Sequence, residues 1–293
     1  MKIVSLTDAE PRARRLAVGV FDGVHLGHRA VIADSDCVVT FNPHPRTVVS
    51  PSTGPRLLTT LERKAELIAA LGVDELVVIP FDQHFAEQPP GSFVEDVLVG
   101  ALGATEVAIG ENFRFGQSAG GDAELLASDG RFETRTVPLT EHDGEVVSSA
   151  HIRELVAGGA IEYATELLGD RFVIDGEVVH GDKRGRELGF PTLNLVPNPD
   201  LVLPAHGIYA CRVRVRGEWI GAAANIGVRP QFKTGRGELI EAFLMDWDGD
   251  AYGEIVRIEF IKRLRGEKRF ESVDVLVQQM GVDVQDARDI LGC

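Results

Sequence analysis

The sequence predicts an α/β domain with a parallel sheet, followed by a small antiparallel β-barrel with a closing helix. Two patterns favour this fold class. In the first half, short β-branched runs alternate with segments whose apolar residues recur at three- and four-residue steps, which predicts βαβ units around a buried parallel sheet. In the second half, strand-like runs follow one another with turn residues between them, which predicts a barrel or a sandwich. With 293 residues, the chain is long enough to form two hydrophobic cores.

The elements of the first half are predicted in order from these patterns. Strands are expected at 16–21, 36–41, 75–80, 105–110 and 131–139. Helices are expected at 60–71, 91–102 and 120–128. In folds of this kind, ligands bind at the carboxyl ends of the strands, so functional side chains are expected in the turns that follow them.

The second half begins after a helical stretch over 151–168, which Gly158-Gly159 interrupts. The sequence therefore predicts one domain of residues 1–168 and another of residues 169–293. Strands are expected at 172–179, 207–216, 218–227, 239–247 and 254–263. A closing helix is expected over 272–290, with Ser272 as its N-cap.

Charge and hydropathy exclude several classes of function. The net charge is −15, and it is concentrated in residues 1–170, which hold 13 Lys/Arg against 26 Asp/Glu. A field of this sign repels nucleic acid, so local donors must hold any phosphate-bearing ligand. No apolar run reaches the roughly 18 residues of a membrane span. The N-terminus also lacks the long apolar segment of a signal peptide.

The cysteines Cys37, Cys211 and Cys293 form no CxxC pair and no disulfide framework. This pattern favours a reducing compartment. We therefore expect a cytoplasmic protein with no nucleic-acid or membrane partner, either a monomer or a weak homo-oligomer.

The first motif with chemical content directly follows the strand predicted at 16–21, and it runs Asp22-Gly23-Val24-His25-Leu26-Gly27-His28. Gly23 and Gly27 allow the backbone to approach a ligand closely. A helix that starts after this turn presents unsatisfied N–H groups, which bind anions. His25 and His28 are spaced i, i+3 and can donate to phosphate oxygens as charge develops on a phosphoryl group. A metal-binding pair and two surface histidines remain alternatives.

Further motifs extend this pattern into a family resemblance. The H-x-G-H after a strand resembles the nucleotidylyltransferase superfamily, and GVFDGVHLGH (19–28) resembles the flavin adenylyltransferase branch of it. TFNPHP (40–45), GENFRFG (110–116) and SSAHIRE (148–154) follow in order. Together these strings resemble the N-terminal module of the bifunctional bacterial riboflavin kinase/FAD synthetase family.

The resemblance implies a Rossmann-like nucleotidylyltransferase domain that binds ATP. In it, His25 and His28 would contact the ATP phosphates during catalysis, and Asn112 would bind the nucleotide or the flavin. Ser149 and Arg153 would hold the β and γ phosphates. The residues of the strand end and turn expected at the same site are Gly19, Phe21, Asp22 and Gly23.

Structural alternatives exist for several of these residues. Asn112 could hold a turn, Ser149 could cap the helix that starts near His151, and Arg153 could pair with a surface acid. The chain also departs from the family pattern in two places. Ala150 replaces a threonine, and only eleven residues separate His28 from Thr40, which limits the helix after H-x-G-H to about two turns.

The second motif is HGDKRGRELGFPTLN at 180–194. Its glycines, Gly181, Gly185 and Gly189, permit a loop whose amides wrap phosphates together with a basic side chain. The basic candidates are Lys183, Arg184 and Arg186. Thr192 and Asn194 share one side of an extended segment and offer neutral oxygens, which suit a Mg²⁺ bound with ATP. The alternative is a polar hairpin loop with a solvated basic tip.

GFPTLN, with Pro191 before Thr192, is followed by ANIGVRPQF (224–232), LIEAFLMDWDGDAYG (239–253) and RGEKRF (265–270). These strings resemble the riboflavin kinase module of the same family, which implies a riboflavin-kinase-like barrel. By this resemblance, Glu241 is the base that takes the proton of the ribityl 5′-hydroxyl, and Arg265 contacts nucleotide or flavin. Alternatively, Glu241 is a surface acid paired with Arg257 or Lys262. Phe190, Trp247 and Phe270 are candidates for contact with the flavin. Alternatively, Phe190 and Trp247 pack in the core of the barrel, and Arg265 and Phe270 cap the entry of a helix.

The resemblance therefore implies an enzyme with two activities. It would phosphorylate riboflavin to FMN with ATP and Mg²⁺, and adenylylate FMN to FAD with release of pyrophosphate. A kinase with a weakened or inactive adenylyltransferase module is one alternative. A flavin- or nucleotide-binding regulator is another, although such a protein needs no base at Glu241.

Overall fold

The computed structural model describes residues 1–181, 185, 188–228 and 238–293. Contacts within the chain divide it into two compact units, Met1–Ser149 and Ala150–Cys293. The predicted phosphate-binding candidates Lys183, Arg184 and Arg186 lie outside the described residues.

The first unit is built on a parallel sheet. Its strands are β1 (Lys2–Ser5), β2 (Arg14–Val18), β3 (Cys37–Asn42), β4 (Glu75–Pro80), β5 (Ala104–Gly110) and β6 (Glu133–Val137). They pair in the order β1-β4-β3-β2-β5-β6, and every pairing is parallel. All five predicted strands are present. The prediction missed β1, whose four residues are too few to show a periodic pattern.

Helices cover both faces of this sheet. They are α1 (Leu26–Ile32), α2 (Pro45–Val49), α3 (Leu61–Ala70), α4 (Gln83–Ala86), α5 (Pro90–Ser92, continuing as a π-helix over Phe93–Ala101) and α6 (Ala123–Ala127). Adjacent residues of β2 point to opposite faces of the sheet and belong to different hydrophobic cores. Leu16 belongs to the core that includes residues of the π-helix, and Ala17 to the core that includes residues of α1 and α3. The three predicted helices are therefore confirmed, with the segment predicted at 91–102 wound mostly as a π-helix.

The strand order reverses beside β2, because β3 lies on one side of it and β5 on the other. In open α/β sheets, such a reversal opens a crevice at the carboxyl ends of the two strands. The turn after β2 and the turn after β5 both lead into this crevice. A short hairpin, β7 (Glu141–His142) and β8 (Glu145–Val146), follows the sheet.

The second unit starts with two helices, α7 (Ser149–Gly158) and α8 (Ile161–Leu168). The first residue of α7, Ser149, still belongs to the first unit. The predicted break lies between them, where Gly159 has a φ of 83°. Helix α8 packs on barrel strands within the second unit. For this reason the second compact unit begins at Ala150, before the predicted boundary between residues 168 and 169. That boundary stays a prediction of where one functional domain ends and the other begins.

The rest of the second unit is a closed antiparallel barrel. Its strands are β9 (Phe172–Val179), β10 (Thr192–Pro197), β11 (Gly207–Val215), β12 (Glu218–Val228), β13 (Glu238–Leu244) and β14 (Ile255–Arg265). They close in the order β10-β13-β12-β11-β14-β9. The predicted barrel is confirmed. Its closing helix α9 (Val273–Leu291) packs on β11, β12 and β14, and the hydroxyl of Ser272 caps it.

Within the described ranges, none of the helices is both long and apolar enough to cross a membrane.

Candidate active sites

A cavity of about 870 Å³ lies in the first unit at the carboxyl ends of β2 and β5. This is the crevice where the strand order reverses, the usual ligand position in such sheets. The predicted residues that line it are Gly19, Phe21, His25, His28, Asn112 and Ser149. Three motifs that are far apart in the sequence therefore meet around one cavity, whose size suits a small-molecule ligand.

His25 and His28 form a stacked pair at the start of α1. Their ring centroids are 3.5 Å apart, and the rings are inclined by 20°. Nδ1 of His25 accepts a hydrogen bond from the backbone N–H of His28 at 3.3 Å, which caps the helix. The ring of Phe21 contacts His28 in an edge-on arrangement, with centroids 5.3 Å apart. His25 is only 5% exposed, so it is not a surface residue.

The turn that leads to these histidines has a strained backbone. The φ angles of Phe21 and Val24 are 51° and 43°, and Gly23 between them has a φ of 87°. Positive φ in an aromatic or β-branched residue persists only where the surrounding structure holds it. The turn is therefore a place where the fold opposes local preference, as is common at functional sites.

Hydrogen bonds to Asp22 help to stabilise this turn. It is 2% exposed, and its carboxylate accepts hydrogen bonds from the N–H groups of Leu58 and Thr59 at 3.0 and 3.1 Å. The N–H of Gly23 donates to the hydroxyl of Thr59 at 3.1 Å. Asp22 and Gly23 do not line the cavity. The contacts of these two predicted phosphate-binding residues instead anchor the turn to the chain before α3.

Lys64 of α3 is a residue that the sequence analysis missed. Its Nζ donates to the carbonyl of Val20 at 2.8 Å and lies 3.4 Å from the hydroxyl of Thr40. Burial lowers the pKa of Lys64 to about 8, and the negative charge of Asp22 opposes that shift. The sequence does contain a signal for a buried Lys64. It is a cation on the apolar face of a predicted helix, and the other buried positions on that face hold Ala, Leu and Ile.

The serine motif reaches the same cavity. Ser148 and Ser149 both line it, and the hydroxyl of Ser149 donates to the carbonyl of Asp22 at 2.8 Å. Arg153 follows on α7, in the second unit. Ala150, which departs from the family pattern, is exposed.

An aromatic surface also lines the cavity, and the sequence analysis did not identify it. We call it the phenylalanine wall; its members are Phe41, Phe81, Phe85, Phe93, Phe113 and Phe115. Contacting rings have centroids 5.3–6.5 Å apart. Three of the six rings lie in TFNPHP and GENFRFG, so the strings themselves contained the signal. Such a wall offers π-faces to a flat aromatic ligand.

A second cavity, of about 680 Å³, lies in the barrel unit. The predicted residues Thr192, Glu241 and Arg265 line it. Strand register places Glu241 of β13 between two asparagines, because its Cα partners are Asn194 on β10 and Asn225 on β12. Asn225 also lines the cavity, although the sequence analysis used only the string that contains it. Three polar residues thus lie side by side across three neighbouring strands.

Asn194 carries a buried oxygen that lacks a hydrogen bond. The residue is 6% exposed, and its Oδ1 has no hydrogen-bond partner among the described residues. Its Nδ2 lies 3.4 Å from the carbonyl of Thr192. Gly181 makes room for this amide, since a Cβ there would lie 2.5 Å from Nδ2. A buried amide oxygen without a partner among the described residues fits a hard cation that takes neutral oxygen ligands.

In the glycine-rich loop before β10, the structure describes Gly181, Gly185 and residues 188–190. The N–H of Phe190 donates to the carbonyl of Gly185 at 2.8 Å. Gly189 has a φ of 85°, where a side chain would be strained. Gly181, Gly189 and Pro191 do not line the cavity in this structure, whereas Phe190 does.

Arg265 and Phe270 lie together on the wall of the second cavity. The guanidinium donates to both carboxylate oxygens of Asp283, from Nε at 2.8 Å and from Nη2 at 2.6 Å. It also lies 5.8 Å from the centroid of the Phe270 ring. Asp283 is 4% exposed and lines the cavity from α9, a residue that the sequence analysis missed. Trp247, a candidate for flavin contact, is not among the lining residues.

The two cations suggested as surface partners of Glu241 have other partners. Arg257 pairs with Asp175 at 2.7 Å, and Lys262 pairs with Glu162 at 3.0 Å. Glu241 itself lies on the wall of the second cavity, and its role as a base stays a prediction.

Among the described residues, no cysteine lines either cavity. Cys37 and Cys211 are buried and Cys293 is exposed, and all three are free thiols. Burial raises the pKa of Cys37 to about 12, chiefly by desolvating the thiolate. In the part of the chain that the structure describes, no cluster of three or more His, Cys, Asp or Glu side chains could hold a metal ion.

Models of known protein families match residues in both units. The FAD synthetase family model matches residues 7–151, and the riboflavin kinase family model matches residues 168–291. A crystal structure described as a macrolide-efflux protein from Streptococcus pneumoniae has the same fold. Its TM-score is 0.88 at 29% identity, over 98% of this chain and 99% of that one.

Curated relatives named bifunctional riboflavin kinase/FMN adenylyltransferase match along nearly the whole chain. The Listeria monocytogenes protein is 39% identical over 93% of this chain and 91% of its own length. The Bacillus subtilis protein is 37% identical over 93% and 90%, and the Escherichia coli K12 protein is 36% identical over 99% and 96%. On this evidence, the chain belongs to the family of bifunctional riboflavin kinase/FMN adenylyltransferases.

Proposed function

We propose that this chain makes FAD from riboflavin in two ATP-dependent steps, with one active site in each unit. The kinase domain, residues 169–293, converts riboflavin to FMN. The adenylyltransferase domain, residues 1–168, converts FMN to FAD. The observation that carries the proposal is the gathering of distant motifs around two separate cavities, His25, His28 and Asn112 at one and Thr192 and Glu241 at the other.

In the kinase step, the ribityl 5′-hydroxyl of riboflavin attacks the γ-phosphorus of ATP, and ADP leaves. Glu241 accepts the hydroxyl proton, so the attacking oxygen gains charge as the new P–O bond forms. Arg265 and Phe270 bind the flavin or the nucleotide, and the Arg265–Asp283 pair holds the guanidinium in one orientation. Gly181, Gly189, Pro191, Lys183 and Arg186 belong to the proposed phosphate-binding loop.

Thr192 and Asn194 are the proposed ligands of the Mg²⁺ that arrives with ATP. The unsatisfied Oδ1 of Asn194 supports this assignment. The cation neutralises phosphate charge when bound. The two side chains themselves fix where the triphosphate sits relative to Glu241.

In the adenylyltransferase step, an FMN phosphate oxygen attacks the α-phosphorus of a second ATP, and pyrophosphate leaves. His25 and His28 donate to phosphate oxygens as charge develops. Ser149 and Arg153 hold the β and γ phosphates, and Gly19, Phe21, Asp22 and Gly23 shape the turn. The phenylalanine wall binds the isoalloxazine ring, whose flat aromatic surface stacks on phenyl rings.

The decisive experiment replaces Glu241 with alanine and resolves the flavin products chromatographically. With riboflavin and MgATP, the variant should form FMN about a hundredfold more slowly, because the base is gone. With FMN and MgATP, it should form FAD at the normal rate, because the adenylyltransferase site is untouched. Equal loss of both activities would contradict the assignment of Glu241 to one site.

A matched control and a reciprocal variant complete this test. Glu218→Ala removes an exposed strand acid outside the cavity and should leave both activities unchanged. His28→Ala should suppress FAD formation and spare FMN formation. A chain that binds flavin but converts neither substrate would be a regulator, and a chain that stops at FMN would be a kinase alone.

The proposed cellular setting is the cytoplasm, where riboflavin, FMN and ATP are available together. We propose that the chain acts there as a monomer or a weak homo-oligomer. Sedimentation at enzyme concentrations used in the assay measures this directly.

A further inference from the structure

Arg135 of β6 makes an unusual set of contacts with the end of a neighbouring helix. Its Nη2 donates to the carbonyls of Val31 and Ala33 at 3.1 and 2.5 Å. Its Nη1 lies 3.5 Å from the carbonyl of Ala30. Its Nε donates to Glu106 of β5 at 3.0 Å. One side chain therefore covers the C-terminal end of α1.

The last carbonyls of a helix have no partner within the helix, and here each of them finds one. The carbonyl of Arg29 accepts from the N–H of Ala33 at 2.9 Å, and that of Ile32 from the N–H of Ser35 at 3.1 Å. The remaining carbonyls at this end of the helix, those of Ala30, Val31 and Ala33, are contacted by the guanidinium of Arg135. A cation at this end also interacts favourably with the helix dipole.

This end matters because α1 has only seven residues. A helix of that length is not stable by itself, so its position depends on contacts outside it. At its other end, Nε of Arg29 donates to the carbonyl of Val24 at 3.1 Å, and His25 caps the first turn. The helix is therefore clamped between Arg135 and the strained turn, with His28 between the two clamps.

We propose that Arg135 is a positioning residue for FMN adenylylation, which holds α1 so that His28 and His25 keep their places in the cavity. Arg135 does not itself line the cavity, so it acts through the helix. The inference rests on the roles proposed above for the two histidines. It concerns a residue on the sixth strand, far in sequence from the H-x-G-H motif that it supports.

The test measures kcat and KM of FAD formation from FMN and MgATP. Arg135→Met should lower kcat about ten- to a hundredfold, the usual effect of a small misplacement of catalytic groups. The KM for FMN should change far less, because the hydrogen bonds of Arg135 go to α1, Ala33 and Glu106, and the phenylalanine wall is the proposed flavin-binding surface. Riboflavin phosphorylation by the same chain should be unchanged, which controls for expression and active protein.

Two further variants separate positioning from general stability. Arg135→Lys keeps the charge and the aliphatic stem but cannot reach three carbonyls, so it should fold and give an intermediate kcat. Glu106→Gln removes the ion pair and leaves the carbonyl contacts, so its kcat should stay within about twofold of wild type. Arg131→Met deletes an exposed arginine that pairs with Asp129 and Glu95, and it should have no effect.

A full kcat in Arg135→Met or Arg135→Lys would overturn the inference. An equal loss in Glu106→Gln would overturn it too, because the ion pair and not the helix contact would then be responsible. His28→Ala, assayed beside them, keeps the two proposals distinct. If that variant retains kcat, the proposed role of the histidine fails; if it loses kcat while Arg135→Met does not, only the present inference fails.

Discussion

At the scale of single residues, the charged groups beneath the phosphate-binding turn are the most informative. Lys64 is buried, and its ammonium group is held by the carbonyl of Val20 at 2.8 Å. Asp22, also buried, is held by the backbone N–H groups of Leu58 and Thr59. These polar contacts fix a turn whose φ angles at Phe21 and Val24 are unfavourable.

The lowered pKa of Lys64 makes the stability of the first unit depend on pH. Between about 8 in the folded state and 10.5 in the unfolded chain, the unfolded state binds the extra proton. Stability therefore rises with pH across this window and is unaffected by this group below it. Relative to Lys64→Met, the wild-type free energy of unfolding should increase by about 1 kcal/mol per pH unit.

Urea unfolding at pH 7.5, 8.5 and 9.5, followed by circular dichroism, measures this difference. Lys2→Met provides a control, because Lys2 is exposed. Parallel pH dependences of wild type and Lys64→Met would show that the burial of Lys64 has no energetic effect.

At the scale of secondary-structure elements, the caps account for where helices begin. Ser272 illustrates this: its hydroxyl accepts a hydrogen bond from the N–H of Val275 at 3.3 Å, and Asp274 follows in the first turn. Helix α9 supplies Asp283 to the second cavity, so the cap supports an element that forms part of the site.

Ser272→Ala should destabilise the second unit by about 1 kcal/mol, because the first turn of α9 loses its side-chain acceptor. Thermal unfolding followed by tryptophan fluorescence should show a midpoint lower by roughly 2–4 °C. Ser272→Asp, which keeps an acceptor at the cap, should match wild type. An unchanged midpoint in the alanine variant would mean that the cap contributes nothing to the stability of α9.

At the scale of the whole molecule, the unfolding of the two units can be followed separately. Both tryptophans, Trp219 and Trp247, belong to the second unit, and so do the three tyrosines. Tryptophan fluorescence therefore reports on the kinase unit alone. The first unit is followed by circular dichroism or by FAD synthesis.

Arg14 provides a selective way to destabilise the first unit. It is 1% exposed, and its Nε donates to Glu75 at 2.7 Å. Burial alone would raise the pKa of Glu75, but the hydrogen bond and charge of Arg14, with the charge of Arg12, hold it below its ordinary value. Without Arg14, the buried charge of Glu75 would be compensated mainly by Arg12, which is half exposed and therefore stabilises it less.

Arg14→Met should therefore cost about 3–5 kcal/mol in the first unit. FAD synthesis should be lost at a temperature roughly 10 °C lower, while the tryptophan transition of the second unit stays in place. Arg15→Met is the matched control, because Arg15 pairs at the surface with Asp36 at 3.5 Å. A parallel shift of both transitions would show that the buried pair stabilises more than its own unit.

The sequence by itself determined the fold class, ten of the strands and the start of α9, because local apolar periodicity and capping residues specify such elements. It also determined several of the residues that line the two cavities, since short motifs keep ligand-binding groups close together along the chain. The motif around His25 and His28 and the residue Thr192 are of this kind.

Only the tertiary structure decided which of these residues face the cavities and what supports them. Asp22 belongs to the same string as His25, yet its carboxylate binds Leu58 and Thr59, which no local pattern indicates. Lys64, Asn225, Asp283 and Arg135 act across strands and helices that are distant in sequence. Their contacts follow from strand order and register, which are settled by packing the whole chain and not by any one segment.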